Sequence, residues 1–401
     1  MNIRPFNAIK PRPSSVANVA AVPYDVVDTA EAKALASGNP ESFLHVSRPE
    51  IDLPEGTSCS SKEAYEQARK TLDSFVEQGI LAKDNDSAFY AYRQIMGSHS
   101  QTGIVATFDT HEYLNGSLKR HEKTRADKED DRTRHIATLN AQTGPVFLTY
   151  RDTLSIAEFT AKACESEPIY DFVADDGIRH TVWKFPLEAN EEIVKMFSSI
   201  PAAYIADGHH RAAAASRMAK EKNFEGEAAW FMAVAFPSKQ LKLLPYNRLI
   251  ADLNGLSKED VLAKAKEIFT VTEAENGEVA ESRHARMFLD GKWYDIAWEV
   301  PADADVVSSL DVSVLQDRFL APVLGIDDPR TSSRISFMGG IRGLDELAGR
   351  VTSGRDAIAF SMYPVTVDEM MAIADADAIM PPKSTWFEPK LRSGLFVHSL
   401  D

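Results

Sequence analysis

The chain reads as an α+β protein of mixed α/β character, and three observations carry that reading. Helical and strand-like segments alternate with hairpins and isolated strands instead of repeating strand–helix–strand units. Two turns mark hairpins. Gly97-Ser98-His99 separates Ser87 to Met96 from Ser100 to His111, both rich in aromatic and β-branched residues, and Asp290-Gly291 marks the second. The third observation is the stretch from Ala202 to Met218, which reads as a short strand, a turn and an alanine-rich helix.

Taken in order, Pro5, Pro11, Pro13 and Pro23 predict an extended run on the surface or along a sheet edge. Thr29 to Ser37 is a short helix. Ser61 to Gln78 is a longer one, with Ala64, Leu72, Phe75 and Val76 on the helical period. Lys119 to His135 is almost continuous charge and leads into a helix expected to stop near Gly144-Pro145. A strand over Val146 to Tyr150, a helix over Ser155 to Glu165 and strands over Ile169 to Val173 and Ile178 to Phe185 follow. Strands are expected again over Ala229 to Ala235 and Leu243 to Ile250, and helices near Val312 to Leu324 and Leu344 to Val351. Ser257 to about Val300 has its own helix and hairpin and reads as an inserted or C-terminal subdomain. The expected division is an N-terminal α+β portion over 1–185, a strand–turn–helix core over 186–255 and a C-terminal α+β portion over 256–401.

Composition narrows the function classes. With 401 residues, 44% of them hydrophobic, the chain can bury a large core. Sixty acidic against 44 basic side chains leave a net charge of −16, which repels nucleic acid and anionic membrane but allows a local basic pocket for a small phosphate compound. Cys59 and Cys164 have no metal-ligand spacing, and no apolar run is long enough to span a bilayer. The expectation is a soluble cytoplasmic protein with a small-molecule partner, free to associate with further copies of itself.

The helix that follows Gly208 begins with His209, His210 and Arg211. Positive groups there oppose the helix dipole, and a bound anion reverses that penalty. Asp207 is the expected N-cap, and Gly208 lets backbone approach closely. Asp207, Gly208, His209, His210 and Arg211 together make a candidate phosphate cradle. The plainer alternative is a surface helix whose histidines are satisfied by Asp207 and backbone carbonyls.

The charged stretch is the second candidate. Asp130 with Arg134 supports an ion-paired solvated helix, whereas Asp127 with Asp131 and Lys128 with Arg132 are like-charge pairs at the same spacing. A functional reading gives His121, Glu122 and His210 proton transfer, gives Glu129, Asp130 and Asp131 a Mg²⁺ ion, and points Arg125, Arg132 and His135 at phosphate. His121, Glu122, His135, His209 and His210 are also zinc-ligand types, although they lack His-Glu-x-x-His spacing. No Gly-x-Ser-x-Gly turn, P-loop or Gly-x-Gly-x-x-Gly turn is present, and Gly339-Gly340 reads as a plain turn.

With these stretches in view, the chain resembles the bacterial and archaeal family known as domain of unknown function ten-fifteen. The resemblance runs from Arg4-Pro5-Phe6 through Val22-Pro23-Tyr24-Asp25 and Asn140 to Pro145, and on to Ser393-Gly394-Leu395. Locally, Asp207 to Arg211 resembles the phosphate-binding turn of the ParB and sulfiredoxin superfamily, which includes free-serine kinases. That resemblance implies a related core with added hairpins, and a nucleotide-phosphate role for Gly208, His209, His210 and Arg211. His209 stands where sulfiredoxin chemistry needs a cysteine, which excludes that activity.

The resulting expectation is a Mg²⁺-dependent phosphotransferase acting on a small hydroxyl metabolite such as free serine, with ATP or ADP as donor. The alternatives are a nucleotide-binding switch with little turnover and a metal-dependent phosphatase or hydrolase. The geometric question left for the structure is whether Tyr24, Asp25, Arg48 and Lys383 come near Gly208.

Overall fold

Strand-forming segments between Ile3 and Pro237 find one another in one mixed sheet. In a computed structural model, which describes all 401 residues, the chain divides into two units: Met1–Leu241 with Pro389–Asp401, and Lys242–Glu388. The boundaries expected at 185/186 and 255/256 do not coincide with those of the two units.

The sheet of the first unit runs, strand by strand, Leu118–Lys119, Ala203–Asp207, Val146–Tyr150, Trp230–Pro237, His99–Asp109, Tyr90–Met96, Arg179–Lys184, Tyr170–Val173, and Ile3–Arg4 pairs with His99–Asp109. Two contacts in it are parallel, Leu118–Lys119 with Ala203–Asp207 and Val146–Tyr150 with Trp230–Pro237. The rest are antiparallel. The sheet is therefore mixed, and the protein is of mixed α/β class.

Met96 pairs with His99, so Gly97-Ser98 makes the expected tight hairpin. Alternate residues of the inner strands, Val146, Leu148 and Tyr150 with Phe231, Ala233 and Ala235, enter one core with Ile193 and Phe197. A second core joins Phe43, Leu72, Phe75 and Leu139 to Val397 of the C-terminal segment.

Helix ends follow local chemistry. Thr29–Ala36 opens on a reciprocal capping box between Asp28 and Glu31. Lys62–Glu77 starts on Ser61 and buries Ala64, Leu72 and Phe75, while Val76 is 43% exposed. One residue on from Phe75, it lies about 100° round the helix and off the buried face. Ala126–Leu139 ends with Asn140 in the left-handed conformation (φ 48°), ahead of Gly144-Pro145. Asp130 pairs not with Arg134 but with Arg217 of His209–Glu221.

The C-terminal segment rejoins the first unit by backbone pairing. Ala21 and Ser393 exchange N–H···O bonds at 3.1 and 2.8 Å, and so do Ile9 and Val397 at 2.9 and 2.8 Å. The Gln94 side chain donates to the Lys390 carbonyl at 2.8 Å.

The second unit is built on an antiparallel sheet in the order Thr270–Ala274, Lys292–Ala297, His284–Leu289, Ile358–Met362, Tyr246–Ile250, Ile335–Gly339. Leu289 pairs with Lys292 across Asp290-Gly291, both at positive φ, as a two-residue hairpin requires. Ser257 to Val300 is thus part of a larger insertion. Its helix Lys258–Ile268 opens on a Ser257–Asp260 capping box. Val312 to Leu324 holds Asp311–Leu315 followed by a π-turn over Gln316–Leu320. Gly339 and Gly340 admit Trp386 and Pro245, whose atoms lie 2.5 and 2.8 Å from where a Cβ would stand.

Gly103 sits in a central strand, where an added Cβ would lie 2.8 Å from the Val234 side chain and 2.9 Å from the Ala235 carbonyl. Gly103→Ala should cost about 1–3 kcal/mol in urea unfolding. An unchanged midpoint would show that the strands are not packed in this register.

Candidate functional site

Strand Ala203–Asp207 ends in a register break between Ile205 and Asp207, and the chain turns at Gly208 into helix His209–Glu221. Gly208 has φ 89°, a conformation that favours glycine. A Cβ there would also lie 3.0 Å from the Arg211 guanidinium, which folds back over the turn. The N-cap position is Gly208, so Asp207 stands one residue ahead of its expected place. Its carboxylate accepts from Arg211 Nη2 at 3.1 Å and lies 3.7 Å from Lys390 Nζ.

Arg211 Nη1 donates to the Pro145 carbonyl, and Nη2 lies 4.0 Å from the Asp25 carboxylate. Nε is buried without a partner. Burial works against the charge of this guanidinium, but Asp25 and Asp207 hold its pKa above the ordinary value. Arg132 is also buried; it bonds Asp131 at 2.8 Å and lies 4.0 Å over the Tyr24 ring. Burial raises the pKa of the Tyr24 phenol and keeps it protonated, with Asp25 adding to the rise and Arg132 and Arg211 opposing it. Tyr24 thus stands in the field of both guanidiniums.

Arg132, Arg211, Tyr24, Gln142, Thr143, Gly144 and Ser393 are among the residues lining a cavity of about 40 Å³. At about 10–15 Å³ per water, that is room for roughly three waters or one small tetrahedral anion.

The histidines behave differently from a cationic cradle. Burial pushes His121 and His209 down to about 3, so both imidazoles are neutral. His210 accepts from the Arg125 N–H at 3.1 Å, which leaves that ring nitrogen without a proton. His135 lines the cavity, held at about 3 by burial with Arg132 adding to the effect, and its Nε2 faces the Val46 carbonyl at 3.4 Å. Positive charge around the turn comes from Arg211, Arg132 and Lys390, with Arg120 on the His209 side.

Several expected groupings are not formed. Arg125 turns to Asp127 at the surface. Glu129, Asp130 and Asp131 are consecutive on Ala126–Leu139, where successive side chains splay about 100° apart. Asp130 goes to Arg217, and Asp131 to the Tyr65 hydroxyl and Arg132. Glu122 instead lies with His121 and His209, their ligand atoms within 4.8 Å of one another.

Tyr24, Asp25, Lys390 and Ser393 are among the site residues that sequence reasoning assigned no role, as are Gln142, Thr143 and Gly144. The sequence raises Tyr24 and Asp25 only as residues whose approach to Gly208 is in question, and Ser393 only within the family resemblance. Arg48 donates to the Tyr24 carbonyl at 3.4 Å and pairs with Glu50. Lys383 belongs to the second unit, where its carbonyl accepts from Arg248.

The family model described as "Protein of unknown function (DUF1015)" matches residues 3–313. The chain belongs to that family. No curated protein matches it. Among solved structures it is similar to a free serine kinase in complex with AMP, at 13% identity and TM-score 0.36, over 73% of this chain and 91% of that one. A conserved hypothetical protein from Pyrococcus furiosus is similar at 13% identity and TM-score 0.38, over 73% and 95% of the two chains. C-terminally truncated SbnI from Staphylococcus aureus is similar at 10% identity and TM-score 0.38, over 73% and 87%. At these scores the DUF1015 chain has to be read from its own residues. No helix in it is long and apolar enough to cross a membrane.

Gly208→Ala should cost about 1–2 kcal/mol, from the left-handed backbone and the displaced guanidinium. Denaturation of the variant with an unshifted midpoint would contradict the packing of Arg211 on the turn.

His135 and His180, both buried with pKa about 3, give a pH signature. In the unfolded chain they titrate near 6.5, so their stabilising share is complete above that value and is lost as pH falls towards 3. His45, raised by its hydrogen bond to Asp52, acts in the opposite sense. Between pH 7 and pH 5 wild type should lose about 1–2 kcal/mol for each of the four buried histidines held at about 3, His121 and His209 acting in the same sense as these two. His135→Gln should make that slope shallower, and equal slopes would show that His135 titrates normally.

Proposed function

We propose that the cavity beside Gly208 binds one phosphate group of ATP or ADP, and that the protein transfers a phosphoryl group to a small hydroxyl metabolite with Mg²⁺. The observation that carries the reading is the pair of buried guanidiniums, Arg132 and Arg211, on one anion-sized cavity, with Arg211 Nε unpartnered. Guanidiniums in a water-poor pocket suit the charge spread over a transferring phosphoryl group. The resemblance of Asp207 to Arg211 to a nucleotide-phosphate turn points the same way.

Asp25 and Asp207 offer the oxygen donors that Mg²⁺ takes. To Asp25, 4.0 Å from Arg211, we assign the acceptor carboxylate role first given to Glu122, since Glu122 faces two buried histidines. In the step, the acceptor hydroxyl oxygen bonds to the terminal phosphorus, the bridging P–O bond breaks, and ADP or AMP leaves. The hydroxyl proton passes to Asp25.

Calorimetric titration of the full chain with ATP and with ADP, in the presence of Mg²⁺, tests this. Arg132→Gln should bind about 10–100-fold more weakly, the worth of one charged contact. Phosphorus NMR with serine as the first acceptor should then show product. No binding at millimolar nucleotide, or unchanged binding by Arg132→Gln, would sink the site. Binding without turnover across hydroxyl acceptors would instead favour a nucleotide-binding switch.

A further inference from the structure

The cavity does not use the first residue of the Gly208 helix. His209 is 5% exposed and its Nε2 is buried without a hydrogen-bond partner. A buried ring nitrogen left unpaired costs stability unless something outside the chain satisfies it. His121 lies edge-on to it, with ring centroids 4.5 Å apart.

The fold holds these two rings together. Leu118–Lys119 pairs in parallel with Ala203–Asp207, Leu118 opposite Ala203 and Lys119 opposite Tyr204. The two chains therefore leave the sheet side by side, one into His121-Glu122 and the other through Gly208 into His209. Ligand atoms of all three side chains stand within 4.8 Å of one another.

We propose that His121, Glu122 and His209 form a binding site for a first-row transition-metal dication, Zn²⁺ foremost, with at least one coordination position open. Ligand atoms around such an ion, bonded at about 2.0–2.2 Å, stand roughly 3–4 Å apart, so the cluster closes with side-chain shifts of about 1 Å. Two imidazoles and a carboxylate select zinc or its neighbours over Mg²⁺, which takes oxygen donors. Burial keeps both rings neutral and able to donate a lone pair. Glu122, only partly buried, leaves the cluster a way in for the ion. Arg120 and Arg211 bring positive charge towards His209, His210 is its other basic neighbour, and Asp207 is the opposite charge with the larger effect. Three protein ligands with an open place are the arrangement of a site that activates water or a substrate oxygen. Nothing in this site depends on the phosphate reading.

The test is titration of the chelator-treated full chain with Zn²⁺ alone, and with Co²⁺ followed by visible absorption. Wild type should bind one equivalent, and Co²⁺ should give the ligand-field bands of a nitrogen–oxygen site. His209→Ala should weaken binding at least tenfold. Glu122→Gln should do the same and decides the matter if circular dichroism shows the histidine variant unfolded. His111→Ala, at an exposed histidine bonded to Asp109, should bind like wild type and exclude adventitious surface binding. Arg132→Gln should also bind Zn²⁺ normally, which separates failure here from failure of the nucleotide site. No binding at about 0.1 mM Zn²⁺, or binding that Glu122→Gln and His209→Ala leave unchanged, would overturn the proposal.

Discussion

A guanidinium buried beside a backbone turn has to find partners, and Arg211 finds them in three parts of the chain. It reaches Asp207 across its own turn, the Pro145 carbonyl at the head of the neighbouring strand, and Asp25 from the N-terminal segment. That clamp accounts for the glycine at 208, since a side chain there would meet the guanidinium. It also accounts for the acidic residue at 207, which serves the arginine and Lys390 rather than standing at the cap position. A charge buried this deeply is costly unless its donors are satisfied, and one of them, Nε, has no partner within the chain. The cavity is lined by this same arginine, whose bonding is incomplete.

The rest of the first unit serves to bring distant segments to that point. The sheet sets Ala203–Asp207 beside Val146–Tyr150, the helix Ala126–Leu139 supplies Arg132, and the C-terminal segment returns past the inserted second unit to deliver Lys390 and Ser393. Charge is divided between two neighbouring groups of residues. Arg211 stays positive because carboxylates flank it, whereas His121 and His209 are neutral because burial outweighs the opposing charges. One helix start can thus face an anion with its arginine and a metal with its first histidine.

Much of the local structure was legible in the sequence because its causes are local. The Gly97-Ser98 and Asp290-Gly291 hairpins follow from turn chemistry, and the strand–turn–helix at Gly208 from composition and a single glycine. What required long-range contact was not legible. Nothing in the spacing of the charged stretch says that Asp130 meets Arg217, or that Asp131 is taken by Tyr65. Reading that stretch as one acidic metal site failed because consecutive helix residues point in different directions. The histidines at the helix start read as potential cations because burial depth is a tertiary property. Asp25 could be raised only as a question and Lys390 not at all, because each enters only when a remote segment packs against the turn.

The central claim is that the Arg132–Arg211 cavity takes phosphate. The most direct measurement is a crystal structure of the full chain with ADP and Mg²⁺. The account predicts phosphate oxygens bonded to the Arg132 and Arg211 guanidiniums, beside the backbone of the Gly208 turn. A nucleotide bound elsewhere on the chain, with this cavity holding only water, would contradict it.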